Sequence, residues 1–517
     1  MAYKGSVFPV ICSQGGLTGA TAVNDIPSEM MLYGSRNLNL EKGGRRKRGG
    51  TAYVNANAFA DTPKVLGIQE FKIRAGTQFI VCHTNDGKIY KNATDTIKTG
   101  WGTTGYTSFA QGDDTLFMCD GASVPQVWSG SSNTADIHEA AADWGAAPPH
   151  QFLLHGRLAS MRMWAVNKTT VYASKSWGAA LDMQHFSTGA ESIVIDTGDS
   201  YGLVGIAEFG DRLMAFGKNQ AYNIDDTDAT PANWGWSPSQ WKGGAAHRRL
   251  LVNTTNDLIA MAEDGEVYSI GAVNQYGDYK AASLTKDSWM HDFIKAYVNL
   301  TYINDFHGVY DPLLRAVVIF VALQGSTTPN AALLYFVDRA PKDAWMLHDN
   351  TVYASGYGAS ASCAVRTAAG SNIIYTGSTV GRVWKLNQTT RSDQTNGYYN
   401  GFVTPSDPFK LNNIIKHYNA LSIITEASGD HTIGVGVYVD GEKVKDESIS
   451  LTDSTATLGA FALGTDTLAG ASIKRLDSRL GVIGERIQYE IYNDTPDEDF
   501  FISEYVTQFK HMGVVQK

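Results

Sequence analysis

This 517-residue chain is poor in charge: only 18% of its residues are Asp, Glu, Lys or Arg. Coiled coils and Glu/Lys-rich helical bundles need many more. The charges it has are biased the wrong way for a cationic coat on nucleic acid, with 42 Lys+Arg against 52 Asp+Glu and a net charge of −10. Long apolar runs are missing as well. The longest, at 316–323, falls far short of the roughly 18 residues that span a bilayer, so no stable membrane insertion is expected. The opening apolar stretch is short and broken by Pro9, unlike a signal peptide. Cys12, Cys82, Cys119 and Cys363 form no CxxC pair and too sparse a set for a disulfide scaffold. Reduced, buried thiols in a chain folded in a cytoplasm are the expectation.

Catalytic and cofactor motifs are equally scarce. The 12 histidines are scattered, with no HExxH or H-x-H pair, so no metal and no cofactor is expected. Gly198-Asp199-Ser200-Tyr201-Gly202 formally matches G-x-S-x-G, but the stretch that follows is strand-like where a nucleophile elbow needs a helix. A turn is the better reading. Gly356-x-Gly358-x-x-Ala361 resembles a fragment of a dinucleotide loop without its βαβ setting. Asp225, Asp226 and Asp228, and Asp494, Asp497 and Asp499, lack the spacing of a calcium loop and read as solvated turns. Nothing selects a catalytic pair of carboxylates. The chain is expected not to be an enzyme.

What is present is a rhythm. A turn followed by a short aromatic strand recurs as NDGKIYKN (85–92), SVPQVWSG (123–130), NKTTVYAS (167–174), GKNQAYNI (217–224), EDGEVYSI (263–270), AALLYFVD (331–338) and TVGRVWKL (379–386). The aromatics are Tyr90, Trp128, Tyr172, Tyr222, Tyr268, Tyr335 and Trp384. Most are preceded by a second apolar strand, so each unit reads as a hairpin. Asp86-Gly87, Asp120-Gly121 and Asp264-Gly265 offer the positive-φ residues of two-residue turns. Repetition every 40 to 50 residues points to a β-propeller, whose four-stranded blades bury their faces only by stacking. The wider gap between Tyr268 and Tyr335 leaves room for an insertion or a distorted blade, so six to eight blades are expected. A series of separate β-sandwiches would leave a similar local pattern. Helical periodicity is weak, with one turn or so expected near 136–144.

Texture divides the rest. Residues 1–60 form an N-terminal segment with a basic turn, 61–390 the degenerate propeller, 391–409 a polar connector, and 410–517 a C-terminal β-sandwich-like domain. The fold class is therefore all-β. In the C-terminal part Ile487, Tyr489 and Ile491 alternate with Gln488, Glu490 and Tyr492, the mark of a half-exposed strand. Arg45, Arg46, Lys47 and Arg48, flanked by Gly43-Gly44 and Gly49-Gly50, are the one dense charge run. Read as an exposed loop, it is a candidate contact for DNA or an acidic partner.

The string Pro27-Ser28, Tyr33-Gly34-Ser35-Arg36-Asn37-Leu38 and Lys47-Arg48-Gly49-Gly50 resembles the opening of many phage tail proteins. The overall plan resembles the tail nozzle (tail tubular B, tail hub) proteins of short-tailed bacteriophages. By motif the resemblance covers residues 27–54, and by plan most of the chain. It implies a structural virion protein, assembled in the host cytoplasm, that forms a homo-oligomeric ring, a hexamer in that family, below the portal and adaptor. Partners would be the adaptor above and tail fibre or tip proteins, with DNA passing unbound through the lumen. An acidic chain suits a conduit that repels phosphate. The competing expectation, prompted by 11 Trp and 25 Tyr, is a carbohydrate-binding or glycan-cleaving propeller that acts as a receptor-binding tail protein. A third is an intracellular scaffold propeller.

Overall fold

The structure is a computed structural model describing residues 6–514, apart from 21–25, 158–159, 188, 190, 229, 240–242, 255, 273–281, 287, 350–357, 410, 427–430 and 452–472. Seven antiparallel sheets follow one another along the chain as blades of a propeller. Their innermost strands are Val65–Lys72, Ser108–Gly112, Gln151–His155, Leu203–Phe209, Leu251–Asn253, His307–Asp311 and Ala359–Arg366. Each touches the next, and the last touches the first, so the ring closes.

All seven recurring aromatics sit on the third strand of their blade, from Tyr90 on Ile89–Lys91 to Trp384 on Val383–Lys385. All are buried. A large ring at the same depth of every blade fills the wedge between neighbouring sheets, which is why the repeat is legible although the rest of the sequence has drifted. In the Asp-Gly turns only the glycine is left-handed: φ is 78° at Gly87, 80° at Gly121 and 86° at Gly265, while the aspartates stay at negative φ. The hairpins therefore use loops with a single left-handed glycine, not the two-residue mirror-image turn expected from the dipeptide.

The wide gap after Tyr268 is an insertion. Among the described residues the fifth blade has three strands, with a bridge from Tyr268 to Ser283 beyond the third. A helix, Met290–Tyr297, and a 3-10 segment, Leu300–Asp305, follow. Met290, Phe293 and Ile294 face inward and Tyr297 stacks on Tyr33 at 3.9 Å. That is i, i+3, i+4, i+7 spacing, which the sequence reading passed over because the segment is only two turns long. Near 136–144 the expected turn is a 3-10 helix at Ala142–Gly145.

The seventh blade is completed from far away. Its fourth strand is Ala52–Tyr53, with Tyr53 opposite Trp384. Such an exchange ties the beginning of the propeller to its end, so the ring cannot open without losing a strand pair.

The second unit is a β-sandwich. One sheet runs Leu38–Glu41, Gly44–Lys47, Phe501–Val514, Ile414–Glu426, Ile473–Gly484, with Ser6–Ile11 also paired to Phe501–Val514. The other runs Asn400–Val403, Ile487–Asn493, Thr432–Val439, Glu442–Ser450. Ile487–Asn493 alternates buried and half-buried residues as its sequence implies. The first sixty residues are thus divided between the sandwich and the last blade, and Asn400–Val403, inside the polar connector, is a sandwich strand. The apolar core of the sandwich, with Tyr418, Leu421, Ile433, Val435 and Tyr489, continues into Val318, Phe320, Leu334 and Met346 of the sixth blade. Each such side chain contributes about 1.5–3 kcal/mol when buried, so one continuous core joins the two units.

Candidate functional site

The basic run lies at this joint. Gly44–Lys47 is a strand wedged between Leu38–Glu41 and Phe501–Val514. Its neighbouring glycines are there because backbone passes close by. A Cβ would stand 2.2 Å from the Ile502 carbonyl oxygen at Gly44, 2.4 Å from that of Gln388 at Gly49, and 2.0 Å from that of Ser392 at Gly50. These are glycines of tight packing and not of a mobile loop.

Each cation is engaged within the chain. Arg45, 1% exposed, donates to the carbonyls of Gln14 and Glu29 and lies over the Phe402 ring at 4.5 Å. Arg46 meets Asp499 at 2.8 Å, Glu41 at 3.1 Å and Glu426. Burial works against its charge, but these three carboxylates outweigh it and hold its pKa above the usual guanidinium value. Lys47, 0% exposed, donates to Asn493 Oδ1 at 2.8 Å and the Thr495 carbonyl at 2.9 Å. Burial, and then the adjacent Arg48, push its pKa down to about 8. Arg48 forms a two-pronged pair with Asp393 at 3.0 and 2.7 Å, bonds Asn37 Oδ1 at 3.0 Å and covers the Tyr398 ring at 3.9 Å.

The expectation of an exposed cationic turn reaching for DNA or an acidic partner does not fit this placement. Arg45, Lys47 and Arg48 are buried, and Arg46 is held by three carboxylates. Arg45, Arg46 and Lys47 fasten the sandwich to the N-terminal segment, and Arg48 reaches Asp393 between the last blade and the sandwich. The residues of the phage-tail motif share that work. Asn37, at φ 63°, donates to Asp349 Oδ1 at 2.7 Å and to the Tyr399 carbonyl at 2.6 Å, Arg36 pairs with Asp349 at 2.7 Å, and Ser28 donates to Asp407. Only their long-range partners, more than 300 residues away, reveal the role, and those leave no local signature.

The other motifs resolve as turns or lie elsewhere. At 198–202 the Asp199 carboxylate accepts the Tyr201 and Gly202 N–H groups, both at 3.0 Å, and the strand Leu203–Phe209 follows. This is an Asx turn between the third and fourth blades. Gly356 of the dinucleotide-like fragment lies outside the described residues, and Ala361 is in the inner strand of blade seven. Asp225 and Asp228 cap their own loop, while Asp497 and Asp499 serve the joint through Ser392 and through Arg46 and Arg391. Among the described residues no three His, Cys, Asp or Glu side chains are placed to hold a metal ion. No helix there is long and apolar enough to cross a membrane. The four cysteines are buried and unpaired with one another.

A cleft of about 480 Å³ opens between blades three and four. Its walls include Arg162, Asp211, Asp228 and Trp234. At its base His155 sits between Glu208 at 3.2 Å and Asp226 at 3.4 Å. Burial opposes protonation of this imidazole, but Asp226 and then Glu208 prevail and raise its pKa. Of this cleft only the acidic turn with Asp226 and Asp228 stands out in the sequence, because the other residues come from separate strands and loops.

No family model matches the chain, and no curated protein does. Among solved structures it is similar to BBS1N in complex with ARL6DN, with a TM-score of 0.40, 11% identity, and 67% of this chain and 98% of that one covered. YCF48 from Cyanidioschyzon merolae gives 0.37, 10%, 66% and 99%. The exo-beta-1,3-galactanase from Phanerochaete chrysosporium gives 0.25, 12%, 86% and 100%. Likeness of this degree says nothing about what the chain does.

Proposed function

We propose that the chain is a structural, non-enzymatic component of a short-tailed phage particle, a nozzle or tube subunit that assembles as a ring beneath the adaptor and lets the genome pass. One observation carries the reading. The stretch that resembles phage tail proteins, residues 27–54, is the stretch that ties sandwich to propeller, through Arg36 and Asn37 on Asp349 and through Tyr53 opposite Trp384. A resemblance concentrated at the joint is what a shared two-unit plan would leave behind. The net charge of −10 agrees with a lumen that repels DNA. Native mass spectrometry of the purified chain, alone and with the adaptor encoded beside it, tests the reading. A ring of about six copies is expected; a monomer that never joins an adaptor or a particle would overturn it.

A second reading is favoured by the cleft between blades three and four. Carboxylates of Glu208, Asp211, Asp226 and Asp228 beside Arg162 and Trp234 supply the planar polar groups and indole that sugars use. In that case the chain is a glycan-binding tail protein. Binding on an array of host envelope glycans, lost in Asp226→Asn, would support it; silence across the array would remove it.

A further inference from the structure

A different set of cations meets at the axis of the propeller. Lys64 immediately precedes the inner strand of blade one, Tyr106 stands just before that of blade two, Arg248 and Arg249 before that of blade five, and Asp305 before that of blade six. These strand starts lie at one end of the propeller axis, its mouth, where their side chains meet one another across the blades. Lys64 Nζ lies 2.6 Å from Tyr106 Oη and 3.2 Å from Asp305, and the Tyr106 hydroxyl donates to Asp305. The Arg249 guanidinium covers the Tyr106 ring at 3.7 Å and bonds the carbonyls of Ser360 and Asp305. Arg248 donates to the Tyr106 carbonyl.

Charge at this mouth is out of balance. Asp305 is shared between Lys64 and Tyr106. A second carboxylate, Asp120, also acts on Arg248; its Oδ1 accepts the N–H groups of Ala122 and Ser123 in its own turn, and its Oδ2 is buried without a hydrogen-bond partner among the described residues. Three cations remain against these two. A guanidinium has five N–H donors; Arg248 places one on protein and Arg249 two. Both side chains are half-buried, and none of their remaining nitrogens is sealed away from solvent. Burial, with Arg249 adding to it, pushes the Arg248 pKa down to about 10 against the pull of Cys119 and Asp120. The surrounding imidazoles respond to the same field. Burial and then Arg248 lower His150 to about 3, and His247 is depressed by burial, Arg248 and Arg249. At blade six, His307 is 2% exposed with both ring nitrogens unpartnered. Burial and then Arg249 hold it neutral.

We infer that this mouth binds a small phosphate-type oxyanion, gripped by the guanidinium forks of Arg248 and Arg249 and by the Lys64 ammonium. Paired forks suit tetrahedral oxyanions, whose several oxygens can meet two guanidinium planes and an ammonium where a single carboxylate offers only two oxygens. The source is free phosphate or the terminal phosphate of a small monoester. Nothing in this depends on the assembly reading.

Isothermal titration of the full chain tests it, with sodium phosphate, glycerol phosphate and acetate at constant ionic strength set by chloride. Saturable one-to-one binding of phosphate with a Kd of about 1 mM or tighter is expected, within reach of a few charge-assisted hydrogen bonds. Tighter binding of glycerol phosphate would assign the monoester as the source, and weaker binding the free ion. Arg248→Gln and, separately, Lys64→Gln should each weaken phosphate by about tenfold or more, with near-UV circular dichroism confirming the native fold. Absence of saturable heat in the native chain overturns the inference whatever the variants do. So does acetate binding as tightly as phosphate, or an unchanged affinity in two folded variants.

Discussion

At the joint, four cations stand side by side in sequence, and every one meets carbonyl, carboxylate or amide oxygen of its own chain. At the propeller mouth, three cations come from positions up to 185 residues apart and keep donors to spare. The dense run looks like the binding surface, but it is folded into the chain and each of its cations already has oxygen partners there. The dispersed set leaves no mark in the sequence, but it is the one with charge left over. Local density of a residue type measures how easily a cluster is noticed, not whether its hydrogen-bonding capacity is free. That capacity depends on what the remainder of the chain brings to the same place.

The sharpest way to test the contrast is to remove a cation from the joint. Arg48 and Asp393 have side-chain exposures of 5% and 2%. Arg48→Ala leaves the Asp393 carboxylate buried with only the Thr51 hydroxyl and backbone around it, a situation that costs about 3–5 kcal/mol. A large fall in the urea midpoint is expected. Arg48→Lys should recover only part of it, since an ammonium cannot reproduce a two-pronged pair. A midpoint unchanged in Arg48→Ala would mean the joint does not hold the two units together.

Glycine offers the next largest effect. Gly50→Ala places a methyl group 2.0 Å from the Ser392 carbonyl oxygen, so backbone must move. Overpacking of this kind costs about 1–3 kcal/mol. Gly76→Ala is not a fair control, because φ there is 94°. Gly145→Ala, with open space around it and no left-handed φ, is the matched surface substitution and should be nearly silent. Equal melting temperatures for the Gly50 and Gly145 variants would show that the glycine-flanked run is loose after all.

The propeller was legible because its signal is local and repeated: seven aromatics on seven third strands, each behind a turn glycine or polar turn. The sandwich was legible only in part. Alternation over Ile487–Asn493 identifies a strand, but the sheet facing it is assembled from Ser6–Ile11, Gly44–Lys47 and Phe501–Val514 among others, and no local pattern announces a pairing across 500 residues. The joint was misread for the same reason. Gly-Gly on either side of Arg45–Arg48 is compatible with mobility and with close approach, and only the opposing carbonyls decide. The mouth was invisible because Lys64, Tyr106, Asp305 and the Arg248–Arg249 pair come from four different blades and no local pattern links them.

Protonation distinguishes the two clusters by a smaller margin. Lys47 has its pKa lowered from 10.5 to about 8 in the folded chain. Between those values the unfolded chain binds the proton and the folded chain does not, so stability rises with pH across that window. Below about 8 both states are charged and the cost of burying the ammonium is present in full. Lys47→Met removes the group. The difference in unfolding free energy, wild type minus variant, should therefore climb between pH 8 and 10 by roughly 1–3 kcal/mol. A flat difference would mean that Lys47 stays charged in the fold and that the joint is more polar than its burial implies.

The smallest effect is expected where the charge is in surplus. Arg248→Gln deletes a guanidinium that makes one hydrogen bond to the Tyr106 carbonyl, a bond the Gln amide can imitate in kind if not in reach. Against that loss stands relief of repulsion with Arg249. The two terms are each of order 1 kcal/mol, so stability in chloride should change by no more than about 1 kcal/mol and in the favourable direction. Phosphate reverses the order. If the native chain binds it, the unfolding temperature of wild type should rise with phosphate concentration as mass action requires, while that of Arg248→Gln stays level. The native chain is then the less stable of the two in chloride and the more stable in phosphate. A crossing of this kind has no counterpart at the joint, where Arg48→Ala should be harmful under all ionic conditions. Arg248→Gln behaving like Arg48→Ala, costly in chloride and phosphate alike, would erase the distinction between a closed cluster and an open one.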